Sequence, residues 1–258
     1  MALPPSLGGK LVEVAVKPFE ARYWEDVVEL HRAVGWPISE RILEIWSKPS
    51  KYTKVRLAVA SGKAVGKVTL DTAYPPCYEI VNLVVHPGYG NLGIGSTLLK
   101  ACVEEAEQKG FDIGMVMTET DNYVAHKLYA KFSFYPAIVP EKGQLWALRF
   151  SRRTFVSKFL ERHPFCSWRA VGKKPALQGG VYELEFVDQV RGNSLSVYVR
   201  GQPGQPEGGT MPRVCGVTLK ERNVELSIFV EDPSEAVAGR AGGRLLASNG
   251  RRSELTLA

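Results

Sequence analysis

The stretch Val84-Val85-His86-Pro87-Gly88-Tyr89-Gly90-Asn91-Leu92-Gly93-Ile94-Gly95-Ser96 decides how this chain is read. It leads from an apolar strand, Tyr78 to Val85, into a helix expected over Leu92 to Lys109 and stopped by Gly110. A glycine-rich turn at a helix N-terminus offers backbone N–H groups without helical partners, at the positive end of the helix dipole. Such a turn binds phosphate oxygens without a charged side chain. Gly93 and Gly95 have no Cβ, so the backbone there can approach a ligand closely. Taken alone, the pair also suits a plain strand-to-helix connection. No Gly-Lys-Ser/Thr follows, which excludes a P-loop, and the preceding elements are in the wrong order for a dinucleotide-binding unit.

Outward from the turn, the pattern gives alternating strands and helices. Residues 11–16 alternate apolar and polar as a strand does. From Glu20 to Val34, Trp24, Val27, Val28 and Leu30 recur at helical spacing, and Gly35-Trp36-Pro37 ends that helix. Ser39 is placed to cap a second helix carrying Ile42, Leu43, Ile45 and Trp46. Strands are expected over Val55 to Ala60 and Ala64 to Asp71, joined by a turn at Ser61-Gly62-Lys63. Downstream come a strand over Asp112 to Thr118, a helix over Asn122 to Lys131, the segment Phe132 to Pro136, and a strand over Gln144 to Phe150. This is an α/β arrangement, a mixed sheet with helices on its faces. Helix positions Leu98, Leu99, Cys102 and Val103 are spaced for burial against it.

A second segment, Asp121 to Phe134, places Asn122 at a helix start, a small residue at Ala125, and Leu128-Tyr129 two turns along. Two readings apply to Leu128 and Tyr129: ordinary core contacts, or a phenol able to give a proton to a departing group.

Together the two segments resemble the GNAT acetyltransferase superfamily. Val85 and Pro87 match the lead-in of its coenzyme A signature, and Gly93 and Gly95 match its two small residues. Asn122, Ala125, Leu128, Tyr129, Lys131 and Phe134 match its second motif. Two positions depart from the pattern: Gly90 stands where the family has Arg or Gln, and Ser133 where it has Gly. The resemblance covers about residues 10–150 and implies a GNAT-like, mostly antiparallel sheet flanked by helices. It implies acetyl-CoA as co-substrate, held by Val84, Val85, Gly90, Asn91, Leu92, Gly93, Ile94, Gly95, Ser96, Asn122, Ala125 and Tyr129. It also implies direct acetyl transfer to a primary amine of a small molecule or peptide, with Tyr129 as acid and the backbone N–H of Leu83 as oxyanion donor. Glu79, six residues before Val85, matches the family's catalytic glutamate; a strand-end Glu that points to water is the other reading. Asp71, Glu119 or ordered water are the alternative bases. Asn82 either lines the acceptor site or satisfies a neighbouring backbone group. Trp24, Trp36 and Trp46 either wall the acceptor pocket or belong to the core.

The remaining sequence carries no recognised motif. The chain has 258 residues and a net charge of +6. Most of the excess sits after residue 150, where Arg152, Arg153, Lys158, Arg162, Arg169, Lys173 and Lys174 face only Glu161 in the same stretch. We read residues 151–180 as a basic helix and linker and residues 181–258 as a small second α+β domain, with a degenerate half-copy of the first fold as an alternative. The expected strands are Val181 to Asp188, Ser194 to Gly201, Arg213 to Leu219 and Val224 to Glu231, with a loop at Gln202 to Thr210 and a helix starting at Asp232-Pro-Ser-Glu. A basic stretch can meet nucleic acid, but aromatic interleaving is sparse and a solvated face is the preferred reading. No apolar run matches a membrane span, and the N-terminus has no signal-peptide pattern. Four cysteines and four histidines show no metal spacing, so no metal is expected and the thiols read as reduced and cytoplasmic. A homodimer is admitted. The alternative function is a non-catalytic acetyl-CoA or CoA sensor whose C-terminal part binds a partner.

Overall fold

The computed structural model describes residues 13–36, 38–138, 143–174, 181–200, 213–230 and 243–249. The chain divides into two compact units, residues 1–73 with 78–110, and residues 74–77 with 111–258.

The first unit carries β1 (Val14–Pro18), a 3-10 turn at Ala21–Tyr23, α1 (Trp24–Ala33), α2 (Glu40–Ser47), β2 (Thr53–Ala60), β3 (Lys63–Tyr74), β4 (Cys77–Val85), a 3-10 turn at Pro87–Tyr89, and α3 (Ile94–Gln108). The strands lie in the order β1-β2-β3-β4. β2 pairs antiparallel with both β1 and β3. The β2–β3 hairpin closes on Ser61 and Gly62, both at positive φ, the geometry that follows the twist of the paired strands. One face of β2 sends Val55, Leu57 and Val59 against Tyr23, Val27 and Leu43 of the α1–α2 side. The other face receives α3. There Gly66 lets the helix close on the strand, since a Cβ would stand 3.1 Å from both Ile94 Cγ2 and Leu98 Cδ1. Glu105 of α3 is held by Lys54 and Arg56 of β2 at 2.8 and 2.7 Å.

The second unit carries β5 (Ile113–Glu119), α4 (Tyr123–Lys131), β6 (Tyr135–Ile138), β7 (Gln144–Phe150), α5 (Phe155–Arg162), β8 (Cys166–Lys174), β9 (Val181–Asp188), β10 (Ser194–Arg200), β11 (Arg213–Glu221), β12 (Val224–Val230) and β13 (Gly243–Asn249). β7 lies between β5 and β6, antiparallel to both. β8 to β13 form a six-stranded antiparallel meander in chain order. Met115, Leu148 and Phe150 share one core with Val156 and Phe159 of α5 and with Leu184, Phe186, Leu195, Val197 and Val199 of the meander. The fold is therefore a GNAT-like mixed α/β arrangement with a largely antiparallel sheet flanked by helices, plus a second sheet.

Several expectations are corrected. The boundary expected at residue 150 falls inside the second unit, because Leu148 and Phe150 are buried against the meander. The linker expected within 151–180 contains β8. Its basic residues hid the strand, but Arg169 faces Glu185 of β9 across the ladder and bonds it at 2.7 Å. The helix expected from Ser151 starts at Phe155, where the Thr154 hydroxyl accepts from Ser157 N at 3.2 Å. Ser39 holds the N-cap position of α2 in extended conformation but makes no side-chain capping bond. β13 was not foreseen. The up-and-down meander is not the strand–helix alternation of a degenerate half-copy. The strand start at Leu11, the loop at Gln202 to Thr210 and the helix start at Asp232 lie outside the described residues. Among the described residues, no helix is long and apolar enough to cross a membrane.

Candidate active site

In the first unit, one continuous segment from Glu79 to Ser96 gathers the expected groups. Glu79 lies in β4, half-buried, and burial first and then the charge of Asp71 raise its carboxyl to about 7. Three residues on, Asn82 sits at φ +51 inside the strand. Asn tolerates the left-handed region better than other residues with a Cβ, and such a residue within a strand re-aims the peptide beside it. That peptide carries the N–H of Leu83. The burial alternation breaks at the same place: Ile80 and Val84 are buried, while Asn82 between them is exposed. Asn82 therefore serves the backbone shape of β4, a role not visible in its residue type alone.

Val84 and Val85 end the strand. His86 opens the 3-10 turn, its Nδ1 accepting from Gly88 N at 3.1 Å. Gly90 closes that turn, its N–H donating to Pro87 O at 3.2 Å, and a Cβ at Gly90 would meet the same oxygen at 3.3 Å. A larger residue at Gly90 therefore crowds this turn. Asn91 and Gly93 both take positive φ, +61 and +77. Gly93 is the N-cap of α3, which begins at Ile94 rather than Leu92; it offers no side-chain cap. Thr97 N donates to Gly93 O, so the first N–H groups of the helix, on Ile94, Gly95 and Ser96, are the ones without intrahelical partners. Leu92 is exposed, whereas the Ile94 side chain is buried in the core. Ile94 thus offers a ligand only its backbone. This cradle of amide donors behind a 15-residue helix suits a pyrophosphate.

In the second unit, α4 carries the other group. Asn122 caps the helix, its Oδ1 accepting from Ala125 N at 3.1 Å, while its Nδ2 donates to Glu119 Oε2 at 3.4 Å. Ala125 is half-buried one turn on. Tyr129 is buried, and its phenol is pushed up to about 12 by burial first and then by the charge of Glu119. It therefore stays protonated over the physiological range. Of the alternative bases, Asp71 accepts from Ala73 N at 2.8 Å, and Glu119 accepts from Asn122 Nδ2 at 3.4 Å. Trp24 and Trp46 pack on the α1–α2 core, and Trp36 is exposed.

Sequence reasoning missed a cavity of about 340 Å³ beside α4. It is lined by Tyr129 and Ser133 together with Thr118, Leu145, Tyr135 and, from β8, Trp168. The departure at Ser133 was its one visible signal. Also missed was a polar cluster in the first unit: Lys67 and Thr69 of β3 and His31 of α1 are buried, and among the described residues Lys67 Nζ and Thr69 Oγ1 have no hydrogen-bond partner. Among the described residues, no group of His, Cys, Asp or Glu is gathered as a metal site.

Residues 17–134 match the family model described as Acetyltransferase (GNAT) family. No curated protein matches the chain. Among solved structures, the chain is similar to the ribosomal-protein-S18-alanine N-acetyltransferase from Escherichia coli, at 16% identity and TM-score 0.45, over 53% of this chain and 91% of that one. It is also similar to the PaiA N-acetyltransferase from Thermoplasma acidophilum in complex with coenzyme A, at 18% identity and TM-score 0.44, over 54% and 99%. A third is Ard1 from Thermoplasma volcanium, at 16% identity and TM-score 0.49, again over 54% and 99%. Residues 17–134 are thus an acetyltransferase domain of the GNAT family.

Proposed function

We propose that this protein moves an acetyl group from acetyl-CoA directly to a primary amine of a small molecule or peptide. The observation that carries the reading is the segment Glu79 to Ser96. It combines a half-buried carboxyl poised near neutrality, a left-handed residue in the strand, and a helix N-terminus with open N–H groups. Acetyl-CoA supplies the acetyl thioester, and its pyrophosphate suits the amide donors of Ile94, Gly95 and Ser96. Glu79 takes the proton that leaves the amine, which must be neutral to attack. The peptide N–H of Leu83, re-aimed by Asn82, donates to the carbonyl oxygen as negative charge grows on it. Tyr129, held protonated, gives its phenolic proton to the departing sulfur. No cysteine is set up as a nucleophile: burial raises Cys102 to about 12.

The test is thiol release by purified protein with acetyl-CoA and a panel of polyamines, amino acids, amino sugars, arylalkylamines and peptides. Release with none of them would sink the reading. One feature favours a second reading, the CoA sensor. Gly90 lacks the family's side-chain donor, and Pro87 O crowds any side chain there. Acetyl-CoA binding by calorimetry without release on any amine would support the sensor.

A further inference from the structure

The buried polar cluster of the first unit lies on the face of β3 that α1 and α2 cover. Trp46 of α2 closes over the Lys67 ammonium, with the ring centroid 3.9 Å from Nζ. The same indole lies 6.0 Å from the ring of His31 on α1, and Trp36 lies 6.3 Å from that ring on another side. Thr69 follows Lys67 by two residues and so shares its face. A buried amine without an acceptor is costly and calls for a reason.

Among the described residues, no element around Lys67 brings it a counter-charge. From α1 it meets His31; Asp26 of that helix accepts from Ala64 N, and Glu25 and Glu29 are exposed. On α2, Glu40, Arg41 and Glu44 are exposed. β2 sets Leu57 opposite Lys67, while its Lys54 and Arg56 are bonded to Glu105 of α3. Farther along β3, Asp71 accepts from Ala73 N, and Glu79 of β4 feels the charge of Asp71.

The element that covers the amine is also thinly held. Leu43 is the buried residue of α2, whereas α3 buries Leu98, Leu99, Cys102 and Val103 along its length. Ser39 gives α2 no side-chain cap, and Ile42 and Ile45 are exposed. A short helix with so few buried contacts opens before the core does. What it covers lies next to the reacting end of β4: a Cβ on Gly66, the neighbour of Lys67, would stand 3.2 Å from Val84 O.

We propose that α2 is a lid over this face of the sheet, latched while the Lys67 amine is neutral and released when that amine takes up a proton. The device stands whether or not the protein transfers acetyl groups. Opening returns the amine to water, where it titrates near 10.5, against about 7 beneath the lid, where burial disfavours its charge. The open form therefore binds more protons, and release is favoured about tenfold for each pH unit between 10.5 and 7 as pH falls. Below about 7 the amine is charged in both forms and its influence levels off. His31 then acts in the same direction, since burial first and the Lys67 charge second hold its ring at about 4 against an ordinary 6.5.

The experiment is amide hydrogen exchange of the full chain between pH 7.5 and pH 9.5, corrected for the intrinsic pH dependence of exchange. Opening of the α2 amides should rise roughly tenfold for each unit that pH falls, while the α3 amides keep their protection throughout. Lys67→Met places an apolar chain of similar length under Trp46. It should remove the slope and lower α2 opening at pH 7.5 by at least about tenfold. His31→Phe should keep the alkaline slope, which separates the two bases. Opening of α2 that ignores pH in the wild type, or that keeps its slope in Lys67→Met, overturns the proposal. So does loss of α3 protection in step with α2, because the helix would then open only with the whole unit.

Discussion

Lys67 Nζ stands 3.9 Å from the centroid of the Trp46 ring, and Lys67 is wholly buried. The ammonium lies over the indole face, and among the described residues no oxygen accepts from it. Burial lowers the amine to about 7, and burial together with the Lys67 charge lowers His31 to about 4. An unfolded lysine titrates near 10.5, so between that value and about 7 the unfolded chain binds more protons than the folded one. The stability lost to this amine is greatest below about 7 and disappears as pH rises toward 10.5. Lys67→Met should therefore stabilise the protein by about 1–3 kcal/mol near pH 7, with the gain shrinking in alkali. Urea melts at several pH values measure it; a destabilised variant would mean the cation–π contact outweighs desolvation.

The pH dependence of turnover reports on Glu79. Its raised carboxyl predicts a rate that climbs through about pH 7 as the base ionises. Glu79→Gln should remove that limb and cut kcat by roughly 10²–10⁴-fold, with acetyl-CoA affinity unchanged. A variant that keeps the same limb assigns the base elsewhere.

Tyr129→Phe separates acid catalysis from packing. The ring lies 5.8 Å from that of Phe134 in a buried setting, and phenylalanine fills the same space. Only the proton is lost. We expect kcat to fall at least about tenfold while the melting temperature and the acetyl-CoA dissociation constant stay near wild type. Turnover equal to wild type would leave Tyr129 a core residue.

Glu105 governs acid stability. Burial works to raise its carboxyl, but hydrogen bonds from Lys109, Lys54 and Arg56 prevail and hold it at about 2. Its folded value is depressed below the ordinary 4.5, so its contribution is complete above that pH and is lost as pH falls toward about 2. Glu105→Gln should cost about 1–3 kcal/mol at pH 7, and the difference from wild type should vanish in acid. Parallel denaturation curves at pH 7, pH 4 and pH 2 show whether the difference shrinks as the carboxyl takes its proton.

Much of this was legible because the signals were local. The glycine turn, the Asn122 cap and the burial spacing of Leu98, Leu99 and Cys102 depend on neighbours a few residues away. What the sequence concealed depends on partners far along the chain. Arg169 looks like part of a solvated basic run until Glu185 lies opposite it. Arg153 and Arg162 likewise bond Asp112 and Glu221, at 2.9 and 3.2 Å. Trp168 becomes a cavity wall only once β8 packs by Tyr135. Asn82 and Ser133 were noticed as residue types, but their positive φ was invisible, since backbone sign leaves no mark in composition.

The family match ends at Phe134, yet the apolar interior does not. Tyr135, the next residue, meets Phe186 at 5.2 Å and Trp168 at 5.8 Å, and Leu148 is fully buried beside them. A protein cut back to the family's length would expose these surfaces to water and to each other's copies. The meander is thus no detachable ornament: it is half of the interior that β5 and β7 close upon.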